Sequence, residues 1–221
     1  MANYKLISFD KIPSTQDHAH ELIAQGGASD HTAIWALAQS AGRGRFRRPW
    51  VSHHGNLYVS FIFDCPERDA RLSYSVAVAI AETIASFGIH PTIKWPNDIL
   101  VDGNKISGCL IEYSGRYAIV GIGINVMSNP TVDKYKTTKM DNYSDVPLEI
   151  LLKRLMRNLD KWMSADFRYV RERWLDLAAC LNCPVKYQGQ MATLVGINEN
   201  GALVLRRDSR YILVYGDEIS V

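Results

Sequence analysis

The segment KWPNDILVDGNKISGCLIEY, residues 94–113, carries the pattern of a β-hairpin. Two apolar runs rich in β-branched residues flank Asp102-Gly103-Asn104, a combination typical of a tight turn between antiparallel strands. The short run before Pro96 reads as the end of another strand, and PND as a turn. This segment therefore predicts three neighbouring strands within some 20 residues.

The same segment places charged side chains beside a glycine. Pro96 restricts the backbone ahead of Asp98, so this carboxylate is expected in a stiff turn. Lys105 begins the second strand of the hairpin, and Gly108 follows three residues later. A strand position without a side chain leaves room for a ligand against the backbone while Lys105 reaches its charged end. The alternative for Lys105 is a solvated surface lysine. The alternative for Asp98 is a carboxylate that only caps the turn.

Segments on both sides of the hairpin predict an α+β protein with a mixed sheet flanked by helices. Buried strands are expected at 32–39, 56–63 and 117–126, and amphipathic helices at 14–26, 71–88 and 147–179. After Cys183 the pattern changes to short strands with Gly/Asn turns about every ten residues, which is typical of a small all-β barrel. The predicted domains are residues 1–180 and 181–221.

The loop AGRGRFRRPW, residues 41–50, concentrates four arginines between glycines and a tryptophan. Gly42 and Gly44 permit positive φ, and the alternating Arg43 and Arg45 offer planar donors that match carboxylates and phosphates. Trp50 offers a flat face for a ring. The loop fits neither the Walker A nor the dinucleotide fingerprint. It reads as a loop that closes on an anionic ligand, with solvated surface as the alternative.

Composition excludes several classes of protein. The formal net charge is +2, from 25 basic and 23 acidic residues, which is low for a general nucleic-acid or membrane-surface binder. No apolar run is long enough to span a membrane. Four scattered cysteines predict a reducing cytoplasm rather than a disulfide framework. In CLNC, Cys180 and Cys183 are expected to be ordinary thiols, and no metal site is predicted.

Six short motifs occur together along the chain, and their order is informative. They are Ser14-Thr15, AQSAGRGR at 38–45 with Trp50, GNLYVS at 55–60, KWPNDI at 94–99, KISG at 105–108 with LIE at 110–112, and GIGIN at 121–125. In this order the chain resembles biotin protein ligases, the biotin–[acetyl-CoA-carboxylase] ligases. The C-terminal PVK, GALVL and GDEIS also resemble the small SH3-like domain of that family, so the resemblance covers nearly the whole chain.

The resemblance implies a two-step reaction on a fold related to class II synthetases. Biotin's carboxylate attacks the α-phosphate of ATP, with Mg²⁺ on the triphosphate, to give biotinyl-5′-adenylate and pyrophosphate. A lysine of a biotin carboxyl carrier protein or domain then attacks the mixed anhydride, and AMP leaves. Biotin and ATP are thus the expected substrates, and a biotin-dependent carboxylase supplies the expected partner.

The family's site residues transfer to matching positions of this chain. The implied catalytic residues are Lys105, Arg45 and Asp98. The implied biotin contacts are Ser14, Thr15, Gln16, Gln39, Arg43, Gly44, Arg45, Lys105, Gly108, Cys109, Gly121 and Gly123. The implied ATP or adenylate contacts are Arg43, Arg45, Trp50, Lys105 and Asn125.

Three positions depart from the family pattern. The family loop usually carries a later glycine where this chain has Arg47 followed by Arg48-Pro49, so we expect a stiffer loop that lacks a positive-φ position there. Gln16 stands where the family has asparagine, on a longer arm. Cys109 replaces an aliphatic residue and is expected to be an apolar wall, since adenylation needs no nucleophile from the protein.

Other functions compete with this interpretation. A lipoate ligase or octanoyltransferase shares the fold, although KWPNDI and the GRGR loop with Trp50 favour biotin. A basic anion- or RNA-binding module would use 43–48 as its footprint, but it leaves Lys105 and Gly108 unexplained. Ser14 lies too near the N-terminus for a helix-turn-helix domain, so we expect no sequence-specific DNA binding. Pairing of two copies through the central sheet is left open.

Overall fold

A computed structural model describes residues 2–132 and 135–215 of the chain. Seven strands form one sheet in the order β1-β2-β3-β7-β6-β5-β4. Their bounds are β1 Lys5–Ile12, β2 Thr32–Gln39, β3 Leu57–Asp64, β4 Pro91–Lys94, β5 Asp98–Val101, β6 Asn104–Ser114 and β7 Tyr117–Ile124. β1 pairs with β2 in parallel and the other neighbours pair antiparallel, which confirms the predicted mixed sheet.

Four helices flank the sheet and divide between its two faces. They are α1 Thr15–Ala24, α2 Leu72–Ala85, α3 Leu148–Met163 and α4 Phe167–Leu177. Helix α1 covers a small apolar patch of Ile34, Ile62 and Ile119, whereas α2 lies over the larger core on the other face. Ser14 caps α1, which was predicted at 14–26, by accepting a hydrogen bond from the backbone N–H of Asp17.

The hairpin at residues 94–113 forms as predicted. Asp102 and Gly103 both take positive φ, at 50° and 74°, which is the geometry of a two-residue turn between twisted strands. The peptide bond between Trp95 and Pro96 is cis. Asp98 then opens β5 and lies opposite Gly108 of β6, so the turn, the carboxylate and the glycine occupy one end of the sheet.

A second sheet follows α4. Its four antiparallel strands, in the order β11-β10-β9-β8, are β8 Pro184–Tyr187, β9 Gln190–Ile197, β10 Leu203–Arg207 and β11 Arg210–Val214. The predicted change of architecture after the helices is thus observed, while the division into domains at 180/181 stays a prediction. The GDEIS motif at 216–220 lies outside the described residues.

Two features differ from the sequence-based expectations. Strand β1 was not predicted, because its burial alternates irregularly at the edge of the sheet and it pairs in parallel with a strand 20 residues further on. The predicted free thiols of Cys180 and Cys183 are wrong for this structure, which joins them as a disulfide across a Cα separation of 5.7 Å. That separation lies within the usual range for disulfides.

Candidate active site

A cavity of about 780 Å³ lies on the α1 face of the large sheet and gathers the predicted motifs. The predicted residues that line it are Ser14, Thr15, Gln16, Gln39, Arg43, Gly44, Arg45, Trp50, Asp98, Lys105, Gly108, Cys109, Gly121 and Gly123. Five basic side chains and one carboxylate are among its walls, so its charge favours an anionic ligand. Its volume is within the range of sites for small molecules.

One end of this cavity is a chain of hydrogen-bonded polar side chains. Thr15 donates through its backbone N–H to Gln39 Oε1 at 2.8 Å, and its hydroxyl lies 2.9 Å from Ser60 Oγ. Ser60 donates to Gln16 Oε1 at 2.9 Å. Thr15, Gln16 and Ser60 are buried, so they present a preorganised polar wall whose own hydrogen bonds fix its donors and acceptors.

Behind this wall, Glu112 links three partners. It accepts from Gln16 Nε2 at 3.0 Å, lies 3.0 Å from His20 Nε2, and receives both terminal nitrogens of Arg43 at 2.6 and 2.8 Å. Burial opposes ionisation of Glu112, but these hydrogen bonds from Arg43, His20 and Gln16 outweigh it and lower the pKa to about 2. Glu112 is therefore a fixed anion at neutral pH.

Arg43 is held by two carboxylates rather than directed at a ligand alone. Besides the forked pair with Glu112, its Nε donates to Asp17 Oδ1 at 2.8 Å. The hydrogen bond to Glu112 raises the pKa of Arg43 despite partial burial. In this structure Arg43 anchors the arginine loop to α1 and β6, so its positive charge is already balanced.

Glycines on β7 make room for protein side chains. A Cβ at Gly121 would lie 2.5 Å from Gln16 Oε1, and one at Gly123 would lie 2.5 Å from the Trp50 indole nitrogen. The indole also reaches the space above Gly108. Among the described residues no acceptor pairs with this buried indole N–H. The gap that Gly108 was expected to leave for a ligand is thus shared with Trp50.

Lys105 lies at the centre of the cavity next to Asp98. Its ammonium nitrogen is 2.5 Å from Asp98 Oδ1, and it lies 5.4 and 5.2 Å from the ring centres of Trp50 and Tyr135. The side chain is 14% exposed. The carboxylate and the two aromatic faces restrict the ammonium group to a small volume.

Asn125 does not line the cavity, in contrast to its predicted contact with the adenylate. It is buried, and its side chain donates to the carbonyl of Thr138 at 3.1 Å. The backbone of Lys105 pairs on both sides with the same segment, donating to Lys136 O and accepting from Thr138 N at 2.9 Å each. Asn125 therefore positions the segment that flanks Lys105.

The arginine loop folds back on itself as a narrow hairpin. Arg43 and Pro49 form an isolated bridge, and Trp50 N donates to Gly42 O at 2.8 Å. Positive φ occurs at Phe46 and Arg47, at 55° and 56°, and not at either glycine of the loop. The expectation that Arg47 lacks the positive-φ conformation is therefore wrong, and the loop adopts it at a steric cost of about 1–2 kcal/mol per residue.

Cys109 points away from the polar wall. Neighbouring side chains of a strand face opposite sides, so the thiol lies in the core under α2 while Gly108 faces the Trp50 ring. Burial, with the negative charge of Asp98, raises the pKa of Cys109 to about 12. A neutral thiol in apolar surroundings agrees with the predicted wall and not with a nucleophile.

Several contributors escaped sequence reasoning. Asp17, His20 and Glu112 were assigned no role, although Glu112 ends the quoted LIE motif, and Ser60 ends GNLYVS. Their partners are 26 to 96 residues away along the chain, from the pair Asp17–Arg43 to the pair Gln16–Glu112. Such contacts depend on the strand register, and no local pattern reveals it. A charged residue at a predicted inward strand position was the one available signal.

Comparison with known proteins agrees with this geometry. Residues 8–129 match the Biotin/lipoate A/B protein ligase family. The Bifunctional ligase/repressor BirA of Bacillus spizizenii is 34% identical over 98% of this chain and 74% of its own length. The Biotin--[acetyl-CoA-carboxylase] ligase of Paracoccus denitrificans is 30% identical over 86% of this chain and 90% of its own.

The fold is shared with a solved ligase. The biotin protein ligase from Aquifex aeolicus, in complex with biotin and ATP, superposes with a TM-score of 0.84 at 28% identity, covering 98% of this chain and 97% of that one. The sheet, the flanking helices and the cavity define a ligase of the biotin and lipoate type. This chain belongs to the Biotin/lipoate A/B protein ligase family.

Proposed function

We propose that the protein is a biotin–[acetyl-CoA-carboxylase] ligase, which activates biotin as biotinyl-5′-adenylate and transfers it to a lysine of a biotin carboxyl carrier protein or domain. The observation that carries this proposal is the convergence of the separate motifs on one basic cavity of about 780 Å³. Similarity to ligases named for biotin supports the substrate. Adenylation requires sites for biotin and for ATP that meet at one reacting centre. We place this centre at Lys105.

In the first step, the cavity would bring two anions together. Biotin's carboxylate is the nucleophile, so the protein contributes positioning and charge neutralisation. Lys105, held beside Asp98 and between two aromatic rings, would contact the carboxylate and the α-phosphate. Arg45 lines the same cavity and would act on the adenylate from the loop. Arg43, bound by Asp17 and Glu112, would hold the loop in place.

Mg²⁺ would enter with the nucleotide. Within residues 2–132 and 135–215, no cluster of three or more His, Cys, Asp or Glu side chains could hold a metal ion. The triphosphate oxygens supply ligands that Mg²⁺ prefers, and the protein need contribute few. We therefore treat MgATP as the substrate rather than assign a resident metal.

In the second step, a lysine of the carrier must lose a proton before it attacks. Free lysine has a pKa of about 10.4, so about one amine in a thousand is neutral near pH 7.4. Asp98 is 30% exposed and lies on the cavity wall beside Lys105, where an incoming ammonium group can meet it. Asp98 would orient that amine and receive or relay its proton.

The polar wall favours biotin over lipoate. The buried chain of Thr15, Ser60 and Gln16 offers hydrogen-bonding atoms at the closed end of the cavity. Biotin carries a ureido group that can use the remaining hydrogen-bonding positions of these side chains, whereas the dithiolane ring of lipoate makes no such bonds and forgoes about 0.5–1.5 kcal/mol for each. The family as a whole includes both kinds of ligase.

The deciding experiment is pyrophosphate exchange into ATP, measured with biotin and with lipoate. We expect exchange that depends on biotin and is at least tenfold faster than with lipoate, followed by a mass increase of one biotinyl group on a carrier domain. Folded protein that shows no biotin-dependent exchange would contradict the proposal. Preferential exchange with lipoate would identify the other branch of the family.

Three further expectations complete the proposal. No described helix combines the length and apolar character needed to cross a bilayer. Location in the cytoplasm and the lack of sequence-specific DNA binding stay predictions. Pairing of two copies also stays a prediction, for which the exposed edge strand β1 offers unpaired backbone groups.

A further inference from the structure

A second cavity lies beside the active site, on the opposite face of β6. We call it the side cavity; its volume is about 220 Å³. Its walls include Tyr74 of α2, Trp95, Cys109, Ile111 and Tyr113, and the C-terminal sheet region adds Gly201 and Tyr215. None of the functions assigned above uses this space.

The side cavity and the active site share a wall. Arg45, the turn Trp95–Asn97 and Cys109 line both spaces. Asn97 donates to the carbonyl of Cys109 and so closes the backbone between them. Asp98 follows Asn97 directly, and adjacent Cα atoms are about 3.8 Å apart. A polypeptide that presents a lysine to Asp98 could therefore place an apolar side chain, one or two residues from that lysine, in the side cavity.

The side cavity is lined mainly by apolar surface; Arg45 and Asp69 also line it, and Asp69 is paired with Arg71. The Tyr74 hydroxyl donates to Gly201 O at 2.9 Å and accepts from Trp95 Nε1 at 3.0 Å. Burial raises the pKa of Tyr74 to about 12, so this hydroxyl stays neutral. Tyr215 at the rim is 56% exposed. The space therefore receives carbon surface rather than a charged or strongly hydrogen-bonding group.

The size of the side cavity selects among occupants. Pockets for free small molecules are usually about 300–1,000 Å³, and this space is smaller. One large apolar side chain fits such a volume, and its burial there is favourable. The two small substrates of the proposed reaction belong in the active site, so the remaining substrate, a protein, supplies such a side chain.

We infer that the side cavity binds an apolar side chain of the carrier domain that lies within two residues of the acceptor lysine. This inference rests on the proposed function. The side chain would anchor the carrier on one side of the turn Trp95–Asn97 while the lysine enters on the other. It would therefore contribute to binding of the carrier and leave adenylation unaffected.

The test fills the side cavity and separates the two half-reactions. In Ala70→Trp, a large ring in the turn just before α2 would occupy the space. The control is Ala24→Trp, at the exposed end of α1 on the other face. We expect KM for the carrier to rise at least tenfold in Ala70→Trp. Biotin-dependent exchange and capture of the adenylate by hydroxylamine should stay within twofold of the unmodified protein, as should every property of the control.

A second arm changes the carrier instead of the enzyme. Apolar residues beside the acceptor lysine are changed to aspartate, which should raise KM for the unmodified ligase but add little to the effect of Ala70→Trp, since both remove one contact. Ser73→Phe replaces Ala70→Trp if that variant fails to fold. The inference would be overturned if KM for the carrier were unchanged in the filled variants. It would also be overturned if the enzyme and carrier substitutions raised KM by independent factors that multiply in the double-mutant cycle. Absence of exchange in the unmodified ligase would instead contradict the proposed function.

Discussion

Strands β6 and β7 present opposite compositions on their two faces. Toward α1, Gly121 and Gly123 lack side chains, and Gln16 and Trp50 occupy the space above them. Toward α2, the same strands fill the core with residues such as Ile124, which is fully buried. Because side chains alternate along a strand, one segment serves both purposes. The glycines on the α1 face leave space for the cavity, and the large apolar side chains on the α2 face stabilise the fold.

Loss of Lys105 should give the largest effect on the cavity face. Lys105→Ala removes the ammonium group that is held by Asp98, so we expect biotin-dependent exchange to fall about 10²–10³-fold. The free energy of unfolding should change by about 1 kcal/mol or less, because the partner Asp98 is partly exposed. Exchange rates and thermal unfolding of the same preparation check both parts.

The matched control removes side-chain volume on the other face. Ile124→Ala should lower the free energy of unfolding by about 2–5 kcal/mol through the cavity that it leaves. Exchange per folded molecule should stay within about threefold. If Ile124→Ala abolished exchange in folded protein, or Lys105→Ala kept it, the division of roles between the two faces would be wrong.

Glu112 lies on the cavity face, so its replacement should affect binding and stability together. In Glu112→Gln the fork to Arg43 and the contact with Gln16 weaken, and we expect KM for biotin to rise about tenfold. The folded-state pKa of Glu112 is depressed to about 2 from an ordinary 4.5. Its stabilisation is therefore present above pH 4.5 and is lost as pH falls toward 2.

Acid titration and a control variant complete this test. The unfolding free energy of Glu112→Gln should vary less between pH 5 and 2 than that of the unmodified protein. Glu82→Gln breaks a similar pair with Arg173 on the α2 side of the molecule, so it should lower stability without changing KM for biotin. If KM for biotin were equal in both variants, Glu112 would have no role in positioning the biotin site.

The smallest effect is expected at Arg47. Arg47→Gly removes the steric cost of a left-handed residue but gives the open loop more freedom, so the closed loop should gain about 0.5 kcal/mol. Release of the adenylate should slow about twofold in a chase experiment. Arg47→Ala keeps the strain and should not slow release. Identical rates in the two variants would show that φ at this position does not control closure.

Local patterns predicted much of the fold because local chemistry decides those features. The cap at Ser14 and the turn at Asp102-Gly103 depend on neighbours within four residues. Resemblance to a family supplied the predicted site residues, and all of them line the cavity except Asn125, whose side chain binds the Thr138 carbonyl. The pairing of Arg43 with Glu112 joins residues 69 positions apart, and it follows only once the register of β6 and the path of the loop are known.

The double backbone attachment of Lys105 constrains how the length of the chain can vary. Residues 136–140 are held by Lys105 at one end and by Asn125 at the other, through hydrogen bonds of 2.9 to 3.1 Å. Most surface loops accept insertions at little cost. An insertion here would move the ammonium group of Lys105 out of register with Asp98. Length changes compatible with activity should therefore fall before Lys136.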